Sequence, residues 1–292
     1  MIICFKFETI RRRYYVFLKL LVGWYLFDSI MMLPYYDQVY GKKSIYRLGH
    51  DTENWFFQLT STLRDVHFSG DAYFFIVMQF LLGCLILLKN DVSKFYHLLF
   101  FITSMNLQFP LMYGLDGGNN LAQILYLYFI FFDWSYLKKT PLIFKKRTLV
   151  ISYSLSMFQI FIVYFTAATS KIKGDDWLNG DALFIVLQNP QYYSATLSPY
   201  LLMFPNLLKI GTYFTIFFQL LFPLILLRKL NFLWIFLGVM IHFMIAIVMG
   251  LLPFGIFMVI NYVFFVDDIM FKKIEFYYDE IKLVFKRKVI TG

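Results

Sequence analysis

The sequence predicts an all-α integral membrane protein with about eight transmembrane helices, both termini in the cytoplasm, and short interfacial helices in addition. First, 60% of the 292 residues are apolar and the mean hydropathy is +0.64, whereas a soluble domain usually has about 45–50% apolar residues. Second, apolar runs long enough to cross a bilayer recur along the chain. Third, short basic clusters separate alternate runs, as in cytoplasmic loops.

Eight apolar runs are candidates for membrane crossings, because about 20 residues at 1.5 Å per residue span the hydrocarbon core. The first is longer than the apolar core of a cleavable signal, about 7–15 residues, so it is expected to be retained. Two others are short. The runs lie near residues 14–36, 71–89, 95–114, 119–137, 148–170, 206–227, 231–250 and 251–267.

Basic clusters set the predicted orientation. They precede the first run, separate the second from the third, the fourth from the fifth and the sixth from the seventh, and follow the eighth. If the helices alternate in direction, all five clusters share one side, which the positive-inside rule places in the cytoplasm. The net charge of +9 then reflects membrane topology. No nucleic-acid-binding module is visible, and nucleic acid is not a predicted partner.

The chain divides into a transmembrane domain over residues 1–268 and a basic amphipathic cytoplasmic tail over residues 269–292. In the tail Ile274, Ile281 and Phe285 follow helical spacing with lysines between them, which is typical of a helix lying on an anionic leaflet. The lipid bilayer is therefore the first predicted partner, and the predicted location is a cell membrane crossed several times.

The sharpest candidate for chemistry is Lys171, which ends an apolar helix rich in small polar residues. A lysine inside a helix bundle costs roughly 2.5–3.5 kcal/mol unless it has a partner, so such a residue can mark a catalytic base. At the very end of a helix it can also extend to the interface and serve only as an anchor. The residues alone leave both interpretations open.

The helix before Lys171 carries a polar stripe of serine, threonine and glutamine side chains that includes Gln159. Small polar residues commonly join membrane helices, although the same stripe could line a polar head-group site. Tyr164 lies seven residues before Lys171 and therefore near its face, where its hydroxyl could contact substrate or another helix.

Two turns on the same predicted outer side supply further candidates for substrate binding. In the first, Trp177 is either an interfacial anchor or a substrate contact, beside Gly180 and Asp181; Asp181 could cap a short surface helix. In the second turn Asp116 could cap the following helix or pair with Lys171, and the glycines allow backbone angles closed to other residues. Those glycines are Gly117 and Gly118.

Two ionisable residues inside predicted membrane helices complete the set. Asp28 lies toward the outer end of the first helix, and an intramembrane carboxylate is by default a functional candidate that needs a partner; either Lys171 or Arg64 could be that partner. His242 is flanked by small residues one turn away on each side, which permits close helix contact. It is either a structural histidine or a catalytic group. No metal site is predicted.

Three stretches carry a family resemblance: YFTAATSKIKGDDWLNGDAL around Lys171, LDGGNN at 115–120 and IHFMIAIVMGLLPFGIFMV at 241–259. Together they resemble the horizontally transferred transmembrane (HTTM) domain family, which includes the vitamin K-dependent gamma-carboxylases, and within it the sporulation-delaying protein B-like bacterial membrane proteins. The carboxylase base that deprotonates reduced vitamin K matches Lys171. The histidine-rich helix start of the carboxylases has no counterpart near Asp116.

The resemblance implies a membrane-embedded protein that modifies or matures a secreted peptide together with other maturation proteins. It allows a reduced quinone as co-substrate, with Lys171 as the base. The alternative is a non-enzymatic transport, chaperone or immunity component for a toxin peptide.

Overall fold

The computed structural model describes residues 6–40, 72–89, 92–108, 117–132 and 142–273, and within these ranges the chain is helical with no β-strand. A helix lies in each of the eight predicted apolar runs. Apart from a single helical turn at Tyr36–Val39, the main helices are α1 Phe7–Met32, α2 Ala72–Leu88, α3 Lys94–Gln108, α4 Gly117–Phe132, α5 Leu142–Ile172, α6 Asp175–Asn179, α7 Ala182–Gln188, α8 Ser198–Leu202, α9 Pro205–Leu220, α10 Asn231–Val248 and α11 Leu252–Ile260.

Three helical segments are long and apolar enough to cross a membrane: Phe7–Val39, Lys146–Ile172 and Asn231–Val248. Two further apolar helices, Ala72–Leu88 and Leu252–Phe264, are shorter. The fold is therefore all-helical with three candidate membrane-spanning helices among the described residues. The number of crossings and the location of the termini stay predictions.

Proline and glycine explain where several helices begin and end. Pro205 occupies the first position of α9, where its missing N–H costs nothing. Gly250 has φ +71° and follows the last residues of α10, so it provides the left-handed residue that commonly ends a helix. The tight turn that results brings α11 back against α10.

Aromatic side chains fill the centre of the bundle around α1. Phe17 packs on Phe264 with ring centroids 4.4 Å apart, and Trp24 packs on Phe257 at 4.8 Å. The Trp24 indole N–H also donates to the Pro253 carbonyl at 2.8 Å, which satisfies the polar edge of a buried ring. These contacts hold α1 against α11 and the 3₁₀ turn that follows it.

Side-chain hydrogen bonds join the first four helices in two pairs. Lys19 on α1 donates to the Leu87 carbonyl at the end of α2, and Lys94 at the start of α3 donates to the Ile130 carbonyl near the end of α4. A lysine at a helix C-terminus satisfies carbonyls that have no partner within the helix. A second bond farther along each pair, Ser29 to Gln79 at 2.6 Å and Gln123 to Gln108 at 2.9 Å, shows that α1 and α2 are antiparallel and that α3 and α4 are antiparallel.

Candidate functional site

Lys171 lies in the last turn of α5 and is half-buried. Its Nζ atom lies 4.8 Å from the centroid of the Trp177 ring, within the range of a cation–π contact. Among the described residues it forms no salt bridge, so Asp28 is not its partner, contrary to one of the two predicted pairings. The other predicted partner of Asp28, Arg64, lies outside the described residues.

The chain turns sharply after Lys171 and carries Trp177 on the short helix α6. Gly174 precedes α6, and a Cβ atom there would lie 3.4 Å from the Trp177 ring. Gly180 ends α6 with φ +86°, and a Cβ atom there would lie 2.6 Å from Lys209 Cγ. A larger residue at Gly180 would therefore be strained by its backbone and by its neighbour.

Asp181 occupies the position before α7, as predicted, but its side chain makes no capping hydrogen bond. The Leu183 N–H in the first turn of α7 donates instead to the Thr212 hydroxyl of α9, at 3.2 Å. On the same side, the Tyr213 hydroxyl donates to the Leu178 carbonyl at 3.0 Å. Helix α9 thus anchors the turn that carries Trp177, Gly180 and Asp181.

A second polar group lies deeper in the bundle, where three helical segments meet. The Tyr164 hydroxyl of α5 lies 2.8 Å from His242 Nε2 of α10 and 2.9 Å from the Tyr262 hydroxyl in the 3₁₀ turn after α11. All three side chains are buried. The Tyr164 ring stacks on Phe222 with centroids 3.8 Å apart, so aromatic carbon surrounds this polar group, which we call the Tyr–His–Tyr cluster.

Glycines allow the Tyr–His–Tyr cluster to form. A Cβ atom on Gly238 would lie 1.9 Å from the Tyr262 hydroxyl, and one on Gly255 would lie 2.6 Å from the His242 carbonyl oxygen and from Ala246 Cβ. The predicted close helix contact around His242 is therefore confirmed. Gly255 is needed because the backbones of α10 and α11 approach each other closely, and Gly238 is needed because the Tyr262 side chain lies against it.

The cluster can exchange protons or bind a polar atom. His242 Nε2 is engaged by Tyr164, while Nδ1 is buried and has no hydrogen-bond partner among the described residues. A neutral imidazole has one donor and one acceptor nitrogen, and the tautomer decides which is which. Nδ1 can therefore donate to or accept from a group that enters the bundle.

Lys171 and the Tyr–His–Tyr cluster share one face of α5 at different depths. Tyr164 precedes Lys171 by seven residues, nearly two full turns and about 10 Å along the helix. No direct contact joins the lysine to the cluster in the described part of the chain. The structure thus gives two polar positions along one helix face.

The predicted polar stripe on α5 divides into two parts. Ser152 and Ser156 are buried, and Ser152 donates to the Tyr128 carbonyl of α4 at 2.9 Å. Gln159 is half-buried and accepts from the Tyr128 hydroxyl at 3.2 Å. This inner part joins α5 to α4, whereas Thr166 on the same helix is exposed.

The second predicted turn is described only in part. Asp116 lies outside the described residues, while α4 begins at Gly117, which is exposed, followed by Gly118, which is buried. Asn119 donates to Asp28 Oδ2 at 3.3 Å. Asp28 is buried at 6% exposure and therefore has an amide partner from α4.

Sequence patterns did not indicate Tyr262 or Phe222 as members of the site. The one signal in the sequence is Gly238, one turn before His242, because the space above a buried glycine must be filled by a neighbouring side chain. That signal indicates a bulky partner without identifying it.

Comparisons of the chain with protein-family models, with curated proteins and with solved structures found no match.

Proposed function

We propose that this chain is a cell-membrane protein with eight crossings and both ends in the cytoplasm, and that it modifies or matures a secreted peptide in the manner of the HTTM and gamma-carboxylase-like proteins it resembles. The observation that carries the proposal is the placement of Lys171: half-buried, at the end of a candidate membrane-spanning helix, beside an indole ring and on the same helix face as the buried Tyr–His–Tyr cluster.

Contacts between chain ends support an even number of crossings. Arg13 near the start of α1 forms a salt bridge of 2.8 Å with Asp268, which follows the last described apolar helix. The two residues lie at the same end of the bundle, and in a membrane the chain between them would then cross an even number of times. Eight crossings satisfy this condition, and the basic clusters of the sequence assign the shared end to the cytoplasm.

Lys171 is the proposed general base. Its neighbour Trp177 covers one side of the ammonium group, and without a salt bridge among the described residues the amine can turn toward a substrate. A base of this kind acts when its neutral amine takes a proton within hydrogen-bond reach. Asp181 and the turn before it would orient the peptide at the entrance to the site.

The residues around Lys171 fit a reduced quinone, because an amine beside an indole face can accept a proton from a phenolic hydroxyl whose ring lies on apolar surface. When bound, such a co-substrate would supply reducing equivalents. The chain's own contribution is to hold the amine, cover it with Trp177, and keep the buried imidazole of His242 hydrogen-bonded to Tyr164.

The alternative is a protein that handles a toxin peptide without chemistry. The Lys171–Trp177 contact favours this alternative, because a cation–π contact stabilises the charged ammonium. A charged ammonium suits a site that binds a carboxylate better than it suits a base. Mass spectrometry separates the two functions. A secreted peptide encoded beside this gene should differ in mass between cells with and without this protein, whereas an unchanged mass together with altered export would support handling alone.

A further inference from the structure

A line of polar side chains follows one face of α4 where this helix packs against α1 and α3. Asn119, Gln123 and Tyr126 are spaced i, i+4 and i+7, which places them on one face of the helix. Each of them hydrogen-bonds to a side chain of another helix. The pairs are Asn119 Nδ2 to Asp28 Oδ2 at 3.3 Å, Gln123 Nε2 to Gln108 Oε1 at 2.9 Å, and the Tyr126 hydroxyl with His97 Nδ1 at 2.9 Å. We call these six residues the polar seam.

The polar seam extends over most of α4. Beyond Tyr126, the Ile130 carbonyl accepts from Lys94, one turn before His97 on α3, at 2.6 Å. From Asn119 to Ile130 is about 16 Å at 1.5 Å per residue, more than half of a hydrocarbon core about 30 Å thick. A carboxylate lies at one end of this length, and an imidazole followed by an ammonium lies at the other.

Two buried groups beside the seam have no hydrogen-bond partner in the part of the chain that the structure describes: the Tyr25 hydroxyl and Gln108 Nε2. The Tyr25 ring meets Tyr126 edge-on at 6.1 Å, and Tyr25 lies one turn before Asp28 on α1. Buried polar groups are nearly always hydrogen-bonded, to protein or to ordered water. Orphan groups in polar surroundings are therefore positions where water would complete a chain.

We propose that the polar seam conducts protons between the two ends of the bundle, with Asp28 and His97 as the groups that take up and release them and with water at Tyr25 and Gln108. Buried ionisable residues inside membrane helices mark ion pathways and proton relays, and the polar seam holds two of them, Asp28 bonded to Asn119 and His97 bonded to Tyr126. Helix association alone would need only amides and hydroxyls. Helix association would require neither the Asp28 carboxylate nor the Tyr25 hydroxyl, which has no hydrogen-bond partner among the described residues.

The transfer balances without any other reactant. A proton binds Asp28 or His97 from one side of the membrane, and a proton leaves at the opposite side. Only O–H and N–H bonds break and form. A counter-ion crossing the bilayer compensates the charge. The inference goes beyond the proposed function and rests only on its membrane topology, because none of the seam residues contacts Lys171.

The test uses the full-length protein in liposomes that contain a pH-sensitive dye, with a potassium gradient and valinomycin to drive protons inward. Proton uptake should exceed that of protein-free liposomes by roughly tenfold or more, and Asp28→Asn should return it to the protein-free rate. Tyr25→Phe removes only an orphan hydroxyl, which should leave the stability unchanged or higher, yet it should lower uptake several-fold. Tyr153→Phe, which removes a buried hydroxyl outside the seam that donates to the Phe264 carbonyl, is the control and should leave uptake per folded protein unchanged.

Each outcome decides the proposal. Uptake equal to that of protein-free liposomes would overturn it, and so would undiminished uptake in Asp28→Asn or in a folded Tyr25→Phe protein. If Asp28→Asn fails to fold, Tyr25→Phe alone settles the matter. Proton uptake is measured with no peptide present. Absence of proton uptake would therefore leave the peptide-modification proposal standing, and absence of peptide modification would leave the proton-conduction proposal standing.

Discussion

The guanidinium of Arg13 and the carboxylate of Asp268 lie 2.8 Å apart, and this ion pair joins the first helix to the segment that follows the last. The Arg13 side chain is fully buried at 0% exposure, whereas that of Asp268 retains 21%. The Phe271 ring lies 5.3 Å from the guanidinium. Asp268 thus compensates charge on the buried arginine, and breaking a buried ion pair by removing one member is destabilising.

We expect Asp268→Asn to lower the free energy of unfolding toward the lower end of the roughly 3–5 kcal/mol that breaking a buried pair costs, because Asp268 is partly solvated. The measurement is the apparent melting temperature in detergent. Asp176→Asn, at an exposed position on α6, is the control. Combining Asp268→Asn with Arg13→Met should recover part of the loss, since the buried charge is then absent. Equal melting of Asp268→Asn and wild type would contradict the prediction.

Gly238 should be among the least replaceable positions of α10. A methyl group there would lie 1.9 Å from the Tyr262 hydroxyl, and overpacking of this kind typically costs about 1–3 kcal/mol. Gly23, whose added Cβ atom would meet nothing within 4 Å, is the matched control, and Gly23→Ala should be neutral or slightly stabilising. Thermal melting in detergent measures both variants.

A second substitution tests whether contact with Tyr262 causes the loss of stability in Gly238→Ala. Tyr262→Leu removes the three atoms that the new methyl group would strike, Oη, Cζ and Cε1 at 1.9, 2.3 and 2.9 Å, so Gly238→Ala should cost much less stability in the Tyr262→Leu protein than in the wild type. A non-additive gain of this kind is expected only for residues in contact. If the two substitutions simply add, the proximity of Gly238 and Tyr262 does not determine the stability of α10.

The location of His242 against a closely packed neighbour could be predicted from the sequence, because small residues one turn away on either side mark a close helix approach. Its hydrogen-bond partner Tyr164 was also a candidate from its position on the face of Lys171. Their pairing could not be predicted, since it depends on the relative depth of α5 and α10, and side-chain packing along both helices sets that depth. The same reason explains why Asn119, and not Lys171, is the partner that the structure gives Asp28.

Helix capping shows a second limit on what the sequence alone predicts. Aspartate is a preferred N-cap residue, and Asp181 stands at the right position before α7. The Leu183 N–H of α7 nevertheless donates to the hydroxyl of Thr212, which lies 29 residues after Leu183 in the chain. Local preference predicts where a helix starts, whereas a neighbouring helix can supply the partner that local sequence does not reveal.

The topology prediction can be checked by labelling. In a background with Cys4 and Cys84 replaced, cysteines introduced at Gly117 and at Ala195, both exposed, should react with an impermeant thiol reagent added outside the cell. A cysteine at Thr140, in the basic segment between the fourth and fifth runs, should react only after the membrane is opened. Labelling of position 140 from outside would exclude eight crossings with both ends in the cytoplasm.

Substitutions of Lys171 distinguish a base from an anchor. Arginine keeps the charge but supplies no neutral amine, because its guanidinium stays protonated in proteins; methionine keeps much of the length without the charge; alanine removes both. If Lys171 is the base, all three should lower peptide modification by roughly 10²-fold or more at matched membrane abundance. Lys173→Met, two residues further on at an exposed position, is the matched control and should modify the peptide at the wild-type rate.

An anchoring role predicts a different order of effects. Arginine would then be nearly silent, because it can make the same cation–π contact with Trp177, and methionine would cost little, since a single interfacial charge contributes at most about 1 kcal/mol. Trp177→Leu adds an independent measurement, because it removes the ring that holds the Lys171 ammonium under either role. It should abolish peptide modification only if the position of that ammonium matters for the chemistry. Full peptide modification by Lys171→Arg would remove Lys171 from the role of base and favour the peptide-handling alternative.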